Sequence, residues 1–368
     1  MKHSQYILSP FLPWFIGGLL IIVSSCSGQK EEVASILSTP EPGFTDSDWS
    51  VPKDQVFDAG PGKDGIPALE NPYFVLADEA TYLGDEDLII GYKSGDDIRA
   101  YPHAILDWHE IVNDEINGDK VAITYCPLTG TGIGWNRVID GRESTFGVSG
   151  LLYNTNLMPY DRATNSIWSQ ILNASVHGTL QDEKIGLFPL VETSWENWKS
   201  MYPETTVLSD NTGYARNYGN YPYGSYKWIE NVLFPISTKD ERIFAKERVL
   251  GVVMEWGTKV YRFEHIDSDA SGKVNVILDS FGPQGLIVVG NKDFMVAYKI
   301  TGVKGAMDFI PLQGELPLVF KDNLGNKYDV FGVVQKGTNL GERLEPVAAF
   351  MGYFFSFGTF YPVPEIFE

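Results

Sequence analysis

Apolar and polar positions alternate with a period of two along much of the chain. In Val121-Ala-Ile-Thr-Tyr-Cys126, residues Val121, Ile123 and Tyr125 fall on one face and Ala122, Thr124 and Cys126 on the other. That period marks a half-buried β-strand. Phe146–Gly150 and Leu151–Tyr160 continue the pattern. Helical spacing is scarce: Thr193 or Ser194 caps a short run through Trp195, Trp198 and Met201, which Pro203 stops. The aromatic content, 19 Tyr, 9 Trp and 21 Phe, and the plentiful Gly and Pro also favour strands and turns. The expected fold class is mainly β, a β-rich α+β chain with few short helices.

The strand pattern occurs twice. Asp87–Tyr101 and Arg248–Tyr261 each read as a β-branched strand, a turn holding Gly95 or Gly257, and a second strand ending in Tyr. Val112–Asp114 and the strand to Tyr125 parallel Ile277–Asp279 and Leu286–Gly290, and Met201-Tyr-Pro203 parallels Phe360-Tyr-Pro362. The offsets are 161, 165 and 159 residues, so one unit is used twice in tandem. The expected organisation is a first β-rich unit over 53–208, an aromatic connection over 209–245 and a second, degenerate unit over 246–368. The connection is rich in tyrosine from Tyr214 to Tyr226, and rings of that kind seek cover, so it is expected to fold over one of the units.

The N-terminus changes the picture of where the protein works. Lys2 and His3 precede an apolar stretch broken by Pro10 and Pro13, and then comes Val23-Ser-Ser-Cys26. This reads as a secretory signal over 1–26 with a lipobox-like end, making Cys26 the lipidated first residue of the mature chain. Lys30-Glu31-Glu32 follows in a polar stretch, 27–52, that reads as a tether. The expected location is extracytoplasmic, held to the outer membrane or cell surface by the lipid. A net charge of -20 argues against nucleic acid and anionic membrane surfaces as partners.

With Cys26 committed to the anchor, Cys126 is the one thiol left. It is absent from the corresponding stretch of the second unit, Gly290-Asn-Lys-Asp-Phe-Met295, so the repeated fold does not require it. A reactive thiol needs a depressed pKa and a base within reach. His109 is the expected partner, placed on the strand or turn before that of Cys126, with Asp107 or Glu110 to orient it. Thr129, Thr131 and the amides around Gly130 are candidates for an oxyanion site. The same Cys126 and His109, with His103 or His177, are alternatively candidates for a copper or zinc site, although no metal-ligand spacing is present. Asp161, Arg162, Trp168 and Gln170 are candidates to line the same cleft, Asp161 as a catalytic group. Asp161 with Thr164 and Trp168 also reads as a hairpin turn. Ser149 lacks the full nucleophile-elbow pattern, and there is no phosphate-binding glycine loop.

Several runs carry a family resemblance: Ala100-Tyr-Pro102, Trp108–Asp114, Tyr125-Cys-Pro-Leu-Thr-Gly130, Phe146–Tyr153, Tyr160–Gln170 and the closing Phe354-Phe-Ser-Phe357. Over roughly 70–366 the chain resembles the domain of unknown function 3179 family. It departs from that pattern at Phe354 and Phe357, where tryptophans are expected. The resemblance implies a shared fold and carries no reaction. Two functions are therefore weighed: a thiol- or metal-thiolate-dependent enzyme centred on Cys126 and His109, or a surface binding module using loop 214–228 for carbohydrate or peptide.

Overall fold

The computed structural model describes residues 49–368. The expected signal segment, its Cys26 and the expected tether up to residue 48 lie outside the described residues. The last four tether residues pack on the fold, because the Trp49 ring stacks on His177 at 4.3 Å and Val51 is buried beside Met158 and Val176. Among the described residues no helix is long and apolar enough to cross a membrane.

Each half runs through the same elements. In the first, strands β1 (Leu88–Ser94) and β2 (Asp97–Pro102) form a hairpin, followed by helix α1 (His103–His109). A meander follows, made of β3 (Ile111–Ile116), β4 (Asp119–Cys126) and β5 (Thr131–Asn136). The next sheet is β6 (Phe146–Tyr153), β7 (Asn156–Asp161), β8 (Ile167–Ser169) and β9 (Ala174–His177). Strand β10 (Val191–Ser194) then returns to β1, helix α2 (Trp195–Met201) follows, and β11 (Thr206–Leu208) lies parallel to β2.

The second half repeats that order: β12 (Arg248–Met254), β13 (Gly257–Arg262), α3 (Phe263–Ile266), β14 (Asn275–Phe281), β15 (Gln284–Gly290) and β16 (Met295–Lys299). The sheet β17 (Ile310–Pro311), β18 (Leu318–Lys321), β19 (Lys327–Asp329) and β20 (Val334–Lys336) comes next. It closes with β21 (Ala348–Tyr353) on β12, α4 (Phe354–Phe360), and β22 (Glu365–Ile366) parallel to β13. A tyrosine–aspartate hydrogen bond is also repeated, buried in the first half and partly buried in the second. Tyr101 Oη donates to Asp114 at 2.6 Å, and Tyr261 Oη donates to Asp279 at 2.8 Å.

Local chemistry accounts for the helices. Ser194 caps α2 by accepting from the Asn197 amide at 3.3 Å, and Trp195, Trp198 and Met201 are buried. Beneath α2 and α4 the central strands carry Gly91 and Gly251. A Cβ at either position would run into the ring of Trp198 or Phe357. Helix α1 stands where a strand or turn was expected. It follows Pro102 and stops at Glu110, whose φ of 59° breaks the helix.

The halves share their cores. One face of the β1–β2 sheet packs on its own meander, Ile90, Tyr101 and Ile105 against Val121, Ile123 and Tyr125. Its other face packs on the second half, Ile89, Val191 and Trp198 against Val289, Phe320 and Tyr328. The β12–β13 sheet does the reverse. Leu250 and Tyr261 meet their own Leu286 and Val288, while Val249, Val260 and Phe357 join Cys126, Trp135, Phe146 and Trp168. Residues 121–126 are therefore buried on both faces rather than one. The alternation correctly sorts them between two cores.

Candidate site under the tyrosine loop

Cys126 ends β4, and the turn Pro127-Leu-Thr-Gly130 leads into β5. Its thiol is 1% exposed and lies 3.8 Å from the carbonyl of Thr155. Burial, and then the charge of Glu110, push the thiol up to about 11. Glu110 lies near enough for its charge to act on the thiol. Strand β3 begins one residue later and pairs Ile111 with Thr124, and the Tyr125 amide donates to the Glu110 carbonyl at 2.7 Å. Glu110 thus stands across from Tyr125, and the ladder stops there because residue 109 belongs to the end of α1.

His109 ends α1, and both of its ring nitrogens are engaged elsewhere. Nδ1 meets the Pro67 carbonyl and Nε2 the Tyr218 hydroxyl, each at 2.7 Å. Burial holds the imidazole below its ordinary pKa. The expected cross-strand pair of Cys126 and His109 rested on a strand or turn at His109, and the helix His103–His109 carries the ring to the tyrosine loop instead.

The Glu110 carboxyl is pushed up to about 8. Burial is the main cause, the hydrogen bond from Tyr223 lowers it, and the nearby Asp107 raises it. Tyr223 Oη lies 3.5 Å from Oε1. The two side chains share a cavity of about 220 Å³ with Ile66, Leu128, Leu157 and Phe234. At neutral pH Glu110 mostly carries its proton, so this largely apolar pocket is uncharged.

Backbone strain gathers around the thiol. Glu110 has φ 59° and ψ -30°. Thr155, whose carbonyl faces Cys126, has φ 66° in the two-residue turn between β6 and β7. A β-branched residue at positive φ is a true outlier, and such strain costs of order 1–3 kcal/mol. At the end of α3, the counterpart of Glu110 is Asp267 with φ -118°. The repeated fold therefore does without the Glu110 strain.

The connecting loop forms the cover. Tyr221 Oη donates to the Pro127 carbonyl at 3.2 Å and Tyr226 Oη to the Leu128 carbonyl at 2.8 Å. Lys246 fastens the loop from below, with Nζ 2.7 Å from each of the carbonyls of Tyr226, Ile229 and Asn231. Burial lowers that lysine to about 8. Tyr214 and Trp228 remain on the outer surface.

The other expected site residues separate into three groups. Thr129, Thr131 and Gln170 do come together, with Asn156, in a buried network beside Cys126. Thr131 and Gln170 Oε1 are 2.8 Å apart, Asn156 Nδ2 is 2.9 Å from Thr129, and Gln170 Nε2 is 3.0 Å from Thr124. Their polar atoms satisfy one another. Asp161 and Trp168 form the hairpin turn, with Asp161 accepting from Thr164 N, Thr164 Oγ1 and Trp168 Nε1. Arg162 points away to Asp64 and Glu70. Among the described residues no group of three or more His, Cys, Asp or Glu is placed to hold a metal ion, so Cys126 and His109 lack the further ligands that copper or zinc needs.

The model for the family described as "Protein of unknown function (DUF3179)" matches residues 63–364, spanning both halves and the loop. The chain belongs to the DUF3179 family. No curated protein and no solved structure matches it. In this DUF3179 chain, sequence reasoning gave Glu110 only a supporting part, took Tyr223 only as a member of loop 214–228, and passed over Thr155. The available signal for Glu110 was a lone carboxylate directly before the buried Ile111-Val112. Nothing in the local sequence marks Thr155, whose role depends on a turn meeting a distant strand.

Proposed function

We propose that this DUF3179 protein is a lipid-anchored extracytoplasmic enzyme that performs thiol-assisted acid–base chemistry on a small uncharged substrate in the Glu110 pocket, near Cys126. The observation that carries the reading is the Glu110 carboxyl, buried in an apolar cavity at a strained backbone position beside the lone thiol. A carboxylic acid titrating near neutral pH suits proton donation and acceptance in the working range. Cys126, held protonated at rest, serves only when a base takes its proton, and Glu110 is the carboxyl whose charge acts on it. Perturbed groups of this kind cluster at functional sites. The Val23-Ser-Ser-Cys26 segment supports the anchor and the extracytoplasmic location, with the outer membrane or cell surface as the expected address.

The binding-module reading has less behind it. Tyr221, Tyr223 and Tyr226 direct their hydroxyls inward, which suits a cover better than a platform.

The test is the pH profile of Cys126 alkylation by iodoacetamide in the full chain. The rate is expected to step up as Glu110 ionises near pH 8, and Glu110→Gln is expected to remove that step. Superimposable profiles for the two proteins would sink the proposal.

A further inference from the structure

Among the described residues that line the Glu110 cavity, Glu110 and Tyr223 carry the only polar side chains. Ile66, Leu128, Val148, Leu157 and Phe234 supply apolar walls. The two carboxyl oxygens of Glu110 are not equivalent. Oε1 accepts from Tyr223 Oη at 3.5 Å. No described residue hydrogen-bonds Oε2, and unlike Asp107 Oδ1 and Glu192 Oε2 it is not sealed from solvent. Glu110 thus meets the cavity with an oxygen that a bound molecule can reach.

A protonated carboxyl has one O–H donor, and its other oxygen accepts. Because Tyr223 gives its proton to Oε1, the proton of the acid belongs on Oε2. The polar end of the cavity therefore offers a single O–H donor. A carboxylic acid kept neutral by an apolar site is suited to that task.

The duplicate half shows that the fold does not call for this arrangement. Asp267, the counterpart of Glu110, is only partly buried and accepts from the Gly272 amide at 3.0 Å. Keeping Glu110 buried instead costs stability at neutral pH.

We infer that the Glu110 cavity takes a small neutral carbonyl compound, a ketone or ester, whose oxygen accepts from Glu110 Oε2 while its carbon body lies on the apolar walls. Other classes fit less well. A hydrocarbon gives the donor nothing to bond, and an alcohol finds Oε1 already engaged by Tyr223. A basic amine would take the proton and leave an ion pair among apolar groups, and a carboxylate would bring its own charge there. Size sets the scale: an apolar cavity of roughly 150 Å³ holds benzene, so the 220 Å³ here admits a five-membered ring. The inference rests on the pocket of the proposed function and names its substrate class, without depending on Cys126.

Cyclopentanone and cyclopentane test it, since they share a ring and only the ketone has an acceptor. Their affinities for the full chain are read by saturation-transfer NMR at two pH values. The ketone is expected to bind about tenfold more weakly at about pH 9 than at about pH 6, because only about a tenth of the Glu110 carboxyls then keep the proton. The hydrocarbon is expected to lose less. Glu110→Gln keeps an N–H donor at both pH values and is expected to bind the ketone equally at each. Asp107 on α1, Cys126 on β4 and Tyr223 on the loop face Glu110, and Lys246 holds that loop. All four are unchanged in Glu110→Gln, so a fall that persists there belongs to one of them and overturns the inference. Tyr223→Phe removes the bond that lowers the Glu110 carboxyl and is expected to move the fall to higher pH. Parent affinity for the ketone that is the same at both pH values, or that falls no more than that for cyclopentane, also overturns it. A flat Cys126 alkylation profile beside the expected ketone behaviour sinks the thiol chemistry alone and leaves the carbonyl site standing.

Discussion

Glu110 is where the local and global demands on this chain disagree. It breaks a helix at an unfavourable φ, and among the described residues Tyr223 alone hydrogen-bonds its buried carboxyl. Because burial raises its pKa from 4.5 to about 8, the folded state holds a proton that the unfolded chain releases. Folding is thus least penalised below pH 4.5, and stability from this group is lost as pH rises towards 8. At pH 7 the penalty is roughly 3 kcal/mol. Glu110→Gln has no proton to lose. In urea unfolding at a series of pH values, the variant is expected to gain on the parent as pH rises from 4.5 to 8, with the gain levelling off above. A stability difference that does not change with pH would contradict a buried, protonated Glu110.

At the scale of elements, the β period was legible wherever a strand kept both faces sorted, as in Val121–Cys126, and Ser194 announced α2 through its cap. Helix α1 was not legible. Seven residues give too short a run for a helical period to show, and His103 and His109 sit at its ends rather than on a stripe. That one element decided the site, since it turns the His109 ring to Pro67 and Tyr218 and leaves Glu110 as the carboxyl whose charge acts on Cys126. The glycines beneath α2 and α4 were legible only as glycines, although each allows an aromatic ring to lie directly on a strand. Gly91→Ala and Gly251→Ala are each expected to destabilise the protein by about 1–3 kcal/mol, the usual cost of overpacking a core. Urea midpoints measure this. If either variant matches the parent, the corresponding ring does not rest on the strand.

At the scale of the molecule, the duplication was readable from the spacing of like motifs, but the way the copies are joined was not. Periodicity reports that a strand has two faces and cannot say which half covers each. Here the β1–β2 sheet is covered on one side by its own meander and on the other by Val289, Phe320 and Tyr328, and the β12–β13 sheet is covered reciprocally. A half on its own would leave a whole sheet face exposed to water, at about 25 cal/mol for every Å² of apolar surface. Thus the tandem units are expected to fold as one. Thermal unfolding followed by tryptophan fluorescence and by far-ultraviolet circular dichroism should give a single coincident transition. Fragments 53–208 and 246–368, expressed separately, should lack cooperative unfolding and regain it on mixing. Two resolved transitions in the intact chain, or a fragment that unfolds cooperatively alone, would show that the shared cores contribute less than their own meanders do.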